Sequence, residues 1–534
     1  MWSKLNEDEK LKYQKLITNF ASLSEAFSQK SEDTDTNVAP IVNSKFQETV
    51  FQKSFGAIGE DIANTSYDAS LLLDEEHKYL VGIKSFGINS GDQKIAQFKK
   101  NSQYDNWGSI LNKISENAKA SKSKQEADDK NEKLYYELAT KIAILRNKRI
   151  ASSKEQIKGF KGTDKDVESI YHVLMPSRKG EEPKIHVGET PYTSINIDNI
   201  KIHGATNLSN PTNFKFSDDI HDYKYTSADS QLLMSFKNKD IVVETWDVNY
   251  IKDPFEVFEN LNEQLSYKDK ISNDLADQVE STVSWIIYNE NGKVEENSGF
   301  NGFNGGPKLS KANNSREKRI ARLIEKYGKH LTKNQLTKIE KDLKSILLNE
   351  WKTNEEKEEM KTIRSNLMEY IETIDNTKLE KEVQKIIFRP LSEMYIPIPN
   401  SKQFHNSFPD FFGENIGRFQ PQPNSNKLLL PKEERVFKLE FLSSKNTIEA
   451  YINQDNGKSI QSYKDQQILG EWILRGVFQL KPREILTKQK LIDVGINGIR
   501  LYKFKDSTRG IGIDFIWIDE ENPPKDAIGW IAKQ

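Results

Sequence analysis

GEDIANTSYDASLLLDEEHKYLVGIKSF, residues Gly59–Phe86, decides how the N-terminal half of this chain is read. Two apolar runs, ASLLLD and KYLVGIKSF, flank the short polar DEEHK, and that pattern predicts an antiparallel hairpin. Asp68 opens the first strand and Lys84 ends the core of the second, so hairpin geometry brings a carboxylate and an ammonium to one end. Phosphodiester hydrolysis uses such a pair: carboxylates hold a divalent cation, and a positive charge sits beside the attacking water and the scissile phosphate. A helix expected from Lys45 to about Ala63 brings Glu60, with Asp61 and Glu48 as substitutes. The expected catalytic set is Asp68, Lys84 and Glu60, and the expected Mg²⁺ ligands are Asp68, Glu60 and Asp74.

Composition bounds the rest. The chain has 534 residues, 36% hydrophobic, 30% charged and 10% aromatic. That length suits two to four domains, and the aromatic content argues against wholesale disorder. The absence of cysteine removes disulfides, thiol nucleophiles and thiolate zinc sites, and fits a reducing cytoplasm, the expected location. The start, MWSKLNEDEKLKY, is charged where a secretory signal needs an apolar run, and no apolar stretch is long enough to span a bilayer, so no membrane partner is expected. The formal net charge is −2 despite 78 Lys and Arg, so any nucleic-acid surface must come from local clustering.

Along the chain, Leu5 to Gln29 has helical spacing. Gln93 to Lys99 reads as a helix beside the hairpin, with Gln93, Lys94, Gln97, Lys99 and Lys100 available to phosphates. KASKSKQEADDKNEK reads as a solvated connection and Leu134 to Asn147 as helix. From about Glu168 to Tyr288 the texture is β-rich, with IYHVLM, SINIDNIKIHG, QLLMSF and DIVVETWDV between polar turns and helices after Asp253 and Asp274. GFNGFNGGPK, 299–308, reads as a flexible loop and lacks the Lys-Ser/Thr ending of a phosphate loop. Ser315 to about Ile387 is a long charged helical stretch, basic at its start, read as a solvated linker.

The hairpin layout resembles the PD-(D/E)XK nucleases, the family of many restriction endonucleases. Tyr67 stands where proline is usual. Gly82 occupies the place of the acidic residue two before Lys84, so the resemblance requires another carboxylate, from Glu60 or Asp74, to replace it. No histidine has Lys two positions later, which excludes the His-x-Lys chemistry of phospholipase D-like cutters.

The C-terminal region carries a second signature. RPLSEMYIPIPNSKQFHNSFPDFFG, residues 389–413, and QDNGKSIQSYKDQQILGEWILR, residues 454–475, mix rigid aromatics and prolines with short polar and basic side chains. That inventory suits a DNA groove. About Arg389 to Tyr502, through EMYIPIP, FKLEF, IEAYINQDNGKSIQS and LGEWILRGVFQLKPREILTKQKLIDVGINGIRLYKF, resembles the DNA-recognition pseudobarrel of restriction endonucleases of the NgoFVII and BfiI type, related in fold to plant transcription-factor domains. The resemblance implies two arms clamping the major groove, here roughly Ser401 to Gly413 and Asn456 to Lys464. By chemistry, Arg389, Lys402 and Lys458 suit guanine or phosphate. Asn406, Gln454, Asn456 and Gln461 suit adenine, and Ser401, Ser459 and Ser462 suit phosphate. His405, Asp410 and Lys464 complete the set, Asp410 as an acceptor for cytosine. Phe408, Phe411, Phe412 and Trp472 are read as packing, and Glu393 and Arg475 as candidates for an internal ion pair.

The expectation is an α+β multidomain protein. Residues 1–165 would hold N-terminal helices and a PD-(D/E)XK-like α/β/α core, and 166–312 a β-rich continuation of that lobe. Residues 313–387 would be a helical linker and 388–534 the DNA-binding β pseudobarrel. The expected activity is that of a type II restriction endonuclease cutting double-stranded DNA with Mg²⁺. A homodimer at least on DNA and a cognate DNA methyltransferase in the same system are the further expected partners. The alternatives are a nuclease dependent on modified bases and a catalytically decayed, sequence-specific DNA-binding protein.

Overall fold

The computed structural model describes residues 1–26, 37–59, 67–74, 77–159, 167–254, 256–257, 278–306, 314–422, 425–453, 456–464 and 466–532. The fold is mixed α+β, with three mixed or antiparallel sheets among the described residues, none closed as a barrel. In chain order the first elements are α1 (Glu7–Ala21), α2 (Ser44–Phe55), β1 (Ile58–Gly59), β2 (Ala69–Leu72), β3 (Lys78–Ser85), β4 (Gln93–Gln97), α3 (Lys99–Tyr104), α4 (Trp107–Lys119) and α5 (Lys124–Lys158). The strands β5 (Glu168–Pro176), β6 (Lys184–Pro191), β7 (Lys201–Ala205), β8 (Phe214–Ser217), β9 (Asp222–Thr226), β10 (Gln231–Met234) and β11 (Val242–Asp247) follow.

The first sheet runs β1-β2-β3-β5-β6-β11. The predicted hairpin is present: β2 and β3 pair antiparallel from Ala69↔Val81 to Leu72↔Lys78. β3 then pairs parallel with β5, Ile83 opposite His172. A parallel step needs a crossover, and the 35-residue α5 lies in it. Alternation along β3 sends Tyr79, Val81 and Ile83 into a core with Tyr13, Ile17, Val50 and Phe51 of α1 and α2. Leu80 faces the other way and packs with Ile157 of α5. This sheet therefore lies between two helical layers. Asn6 caps α1 by accepting from the backbone of Asp8, and Asn43 caps α2 by accepting from Phe46.

The second sheet is antiparallel, ordered β4-β10-β9-β8-β7. Three readings are corrected here. Gln93–Gln97 is an edge strand paired with β10, not a helix. KASKSKQEADDKNEK is largely the first turns of α5, opened by Ser123, whose hydroxyl accepts from Glu126 N–H. α2 ends at Phe55, capped by left-handed Gly56, well before Ala63. The helices expected after Asp253 and Asp274 fall mostly or wholly outside the described residues.

The C-terminal unit begins earlier than expected. β12 (Val279–Ile286) pairs with β17 (Gly498–Phe504) in a seven-stranded sheet, ordered β12-β17-β18-β14-β15-β16-β13. Its other strands are β13 (Ile396–Pro397), β14 (Val436–Phe441), β15 (Asn446–Asn453), β16 (Ser459–Ser462) and β18 (Ile511–Ile516). The 166–312 assignment is corrected: from β12 onward the chain belongs to the C-terminal core, where Trp285 and Phe300 pack with Ile499 and Phe515. GFNGFN is an ordered 3-10 turn rather than a flexible loop. Phe300 and Phe303 are buried, and Asn301 both donates to the Leu486 carbonyl and accepts from its N–H.

The 313–387 segment is likewise not a linker between units. It is inserted between β12 and β13 of one sheet, as α6 (Ser315–Tyr327), α7 (Lys333–Leu348), α8 (Asn354–Glu372) and α9 (Thr377–Ile387), with a core of its own around Leu343, Leu367 and Val383. Arg364 of α8 ties it back by donating to the Asn304 carbonyl and side-chain oxygens, while Arg364 and Arg483 both lie against the Phe388 ring at 4.3 and 4.2 Å.

α5 joins the N-terminal and C-terminal units. Its Ser152 donates to the Val477 carbonyl, and Trp472 donates its indole N–H to the Glu155 carbonyl. Buried Arg149 donates to the carbonyls of Asp493 and Gln97 and to Asn101, which itself donates to Asp493.

Candidate functional site

Asp68 sits one residue before β2. Its N–H still donates to the Val81 carbonyl, and its Oδ2 accepts the Ile83 N–H at 2.6 Å. The carboxylate thus continues the hairpin ladder where the backbone of the first strand turns away. Lys84 Nζ lies 3.4 Å from the same oxygen, and both side chains are about a third exposed. An ion pair this exposed contributes only about 0–1 kcal/mol to stability. It leaves both groups reachable by a phosphate. Oδ1 accepts no hydrogen bond among the described residues.

The acid missing at position 82 has a steric reason. A Cβ on Gly82 would lie 2.7 Å from the Tyr171 ring and 3.4 Å from Tyr192. These two rings are stacked at 4.1 Å, and the Arg146 guanidinium lies 4.7 Å from the Tyr192 ring. Aromatic packing fills the space a second carboxylate would occupy. Asp74 does not replace it. It lies in the turn at the far end of the hairpin, held by the His77 N–H and imidazole, and the four residues of β2, at about 3.3 Å each, lie between it and Asp68. Glu60 and Asp61 lie outside the described residues; Gly59, just before them, pairs with Ala69, just after Asp68.

A hard cation such as Mg²⁺ needs several oxygen ligands. Among the described residues no cluster of three or more His, Asp or Glu is arranged to hold one. Asp68 supplies one open carboxylate oxygen, so the described residues provide a single ligand of such a site.

The C-terminal candidates separate by burial. Lys402, Asn406, Asp410, Lys458 and Lys464 are exposed, and Asn456 is half-buried. Lys402 donates to Asn426, Asp410 accepts from Asn415 N–H, and Lys464 pairs with Glu449 at 2.5 Å. Five others face inward and are corrected as base or phosphate contacts: Ser401, His405, Ser459, Gln461 and Ser462 are buried. Gln461 is taken by Tyr451 and Asn453. His405 bonds the Gly457 carbonyl at 2.9 Å, tying the first arm to the second, and burial pushes its pKa down. Arg389 is half-buried and already engaged within the fold: it pairs with Glu393 at 2.9 Å and donates to the Gly306 carbonyl. Glu393 thus pairs with Arg389 rather than Arg475, which donates to the Leu480 and Lys481 carbonyls. Gln454 lies outside the described residues. Phe411, Phe412 and Trp472 are buried as expected, whereas Phe408 is exposed.

A cavity of about 1160 Å³ opens beside the first arm, lined by Asn400–Gln403, Asn406 and Ser407, by Lys458 of the second, and by Trp285, Tyr288, Tyr395 and Trp530. Its aromatic side was not read from the sequence. Trp285 and Trp530 lie more than 240 positions apart, and no local spacing links them.

No helix among the described residues is long and apolar enough to cross a membrane. No protein-family model matches the chain, and no curated protein matches it.

Proposed function

We propose that the chain is a sequence-specific endonuclease that hydrolyses phosphodiester bonds of double-stranded DNA with Mg²⁺. The observation that carries this reading is the Asp68–Lys84 contact of 3.4 Å at the open end of a hairpin. The arrangement around it supports the reading: the hairpin belongs to a sheet packed between helices, with a crossover helix leading to a strand parallel to β3. Asp68 and a partner carboxylate, Glu60 by position in the sequence, would hold the cation. When bound, it would supply Lewis acidity at the scissile phosphate. Lys84 would hold the attacking water or the phosphate oxygen. The C-terminal unit, in this reading a pseudobarrel, would select the sequence. Cutting both strands at one site needs two such centres, hence a homodimer on DNA, and a matching methyltransferase would protect the host.

Plasmid cleavage with Mg²⁺ tests the assignment. The wild-type chain should cut, and Asp68→Ala and Lys84→Ala should not; full cutting by both variants sinks it. Parallel digestion of methylated and unmethylated plasmid separates a nuclease dependent on modified bases. The Tyr171 ring against Gly82 favours a second reading, a DNA-binding protein whose cutter has decayed. Tight sequence-specific binding without cleavage under any divalent metal would decide for it.

A further inference from the structure

The seven-stranded sheet brings its two end strands, β12 and β13, to either side of the 1160 Å³ cavity. Where they border it, neither offers a free edge to another strand. Beside β12, Ser284 donates its N–H to the Asp526 carbonyl and accepts from Ile528 N–H, and the Tyr288 carbonyl accepts the Trp530 indole N–H. β13 ends in Pro397 with Pro399 beyond it, and proline has no N–H for a ladder. An added peptide strand is therefore a poor occupant.

The lining chemistry fits something else. Trp530 is 37% exposed and Tyr395 half-buried, so ring surface is accessible. Gln403 and Asn406 are exposed amides on the first arm. Lys293 and Lys458 are exposed, and neither is paired with a carboxylate among the described residues. Rings stack on bases, amides bond base edges and ammonium groups hold phosphates. The volume lies just above the range of about 300–1,000 Å³ usual for ligand sites. It exceeds a bare base and suits a base with its sugar and flanking phosphates. Glu295, also in the lining and bonded by the Ser298 hydroxyl, adds an acceptor for an exocyclic amine such as that of cytosine or adenine.

We propose that this cavity receives one nucleotide unstacked from the DNA held between the arms, preferentially one whose base carries an exocyclic amine. The proposal rests on the reading of the C-terminal unit as a DNA-binding module. Drawing a base from a duplex costs stacking and pairing, so a base already outside the helix should bind more tightly.

The full chain is titrated in EDTA against two labelled duplexes of one sequence, read by fluorescence anisotropy. One is fully paired, and the other carries a single extrahelical cytidine. The expected result is at least about tenfold tighter binding of the second. Trp530→Ala should erase that preference and Trp530→Phe should retain it. The Lys293→Ala/Lys458→Ala pair, confined to exposed side chains, should reduce it even if Trp530→Ala fails to fold. Equal affinity for both duplexes overturns this inference alone. A preference that survives both the Trp530→Ala and the double-lysine changes also overturns it. Binding to neither duplex overturns it together with the DNA-binding reading.

Discussion

The Asp68 carboxylate accepts the main-chain N–H of Ile83 at 2.6 Å, with Lys84, the next residue, reaching the same oxygen. One side chain thus closes the hairpin ladder and presents a charge. Its substitutions should divide those two roles.

Asp68→Asn keeps an acceptor for Ile83 and removes the negative charge. Cleavage should fall on the order of a hundredfold or more, the scale of losing one preorganised electrostatic group, with little change in stability. Asp68→Ala should lose the same activity and also cost roughly 1 kcal/mol, because the Ile83 N–H loses its partner at a partly exposed site. Urea unfolding beside plasmid cleavage separates the two. An Asp68→Asn variant that cuts like wild type would show that the carboxylate serves the fold alone.

Gly82 carries a second expectation. The Tyr171 ring stands 2.7 Å from where a Cβ would be, in a stacked pair buried against α5. Gly82→Ala should destabilise by about 1–3 kcal/mol through overpacking, and Gly82→Asp by more. Unfolding midpoints check this. A neutral Gly82→Asp that gains Mg²⁺-dependent activity would mean the space is open to the acid after all.

These two residues mark what the sequence discloses and what it hides. The hairpin and its converging Asp68 and Lys84 are local, set by alternation and a short turn, and were legible. The ring opposite Gly82 comes from β5, almost ninety residues on, and no local pattern announces it. The same holds for β12, which crosses more than two hundred residues to pair with β17. β4 reads as helix because QKIAQ is an edge strand with little alternation to separate it from one. The charged 315–387 stretch was legible as helical. Its divisions were also written, as the capping boxes Thr332–Gln335 and Thr353–Glu356. Of the arms, the sequence gives polar residues but not their facing, so His405 and Gln461 read as contacts although packing turns them inward.

The junction through α5 makes a third prediction. Asp493 accepts from Asn101 and Gln489 and pairs with Lys148, while its carbonyl receives buried Arg149, whose pKa burial lowers to about 10. Asp493→Ala removes the acceptors and leaves that guanidinium with less compensating charge. It should cost about 1–3 kcal/mol and loosen the two units from each other. Calorimetry should resolve two unfolding transitions where the wild type shows closer coupling. One unchanged transition would mean that Ser152, Trp472 and the apolar contacts hold the junction without it.

His172 makes the last prediction, on pH. It lies fully buried on β5, 3.1 Å from the Tyr13 hydroxyl and stacked on Trp2, and burial lowers its pKa to about 3. In the unfolded chain the imidazole takes a proton near pH 6.5. Between those values the unfolded state binds the extra proton, so the native state gains stability as pH rises and loses about 1.4 kcal/mol for each pH unit on the way down. Above the unfolded value the contribution is complete and flat. His405, His221 and His186 are lowered in the same direction, so the wild-type slope alone does not isolate one residue. His172→Gln keeps an acceptor for Tyr13 and removes the titration. The stability advantage of wild type over this variant should therefore shrink steadily from about pH 6.5 towards about pH 4.5, read as urea midpoints at matched ionic strength. Parallel curves for the two proteins across that window would mean that water reaches the imidazole and that the aromatic box around it is not closed.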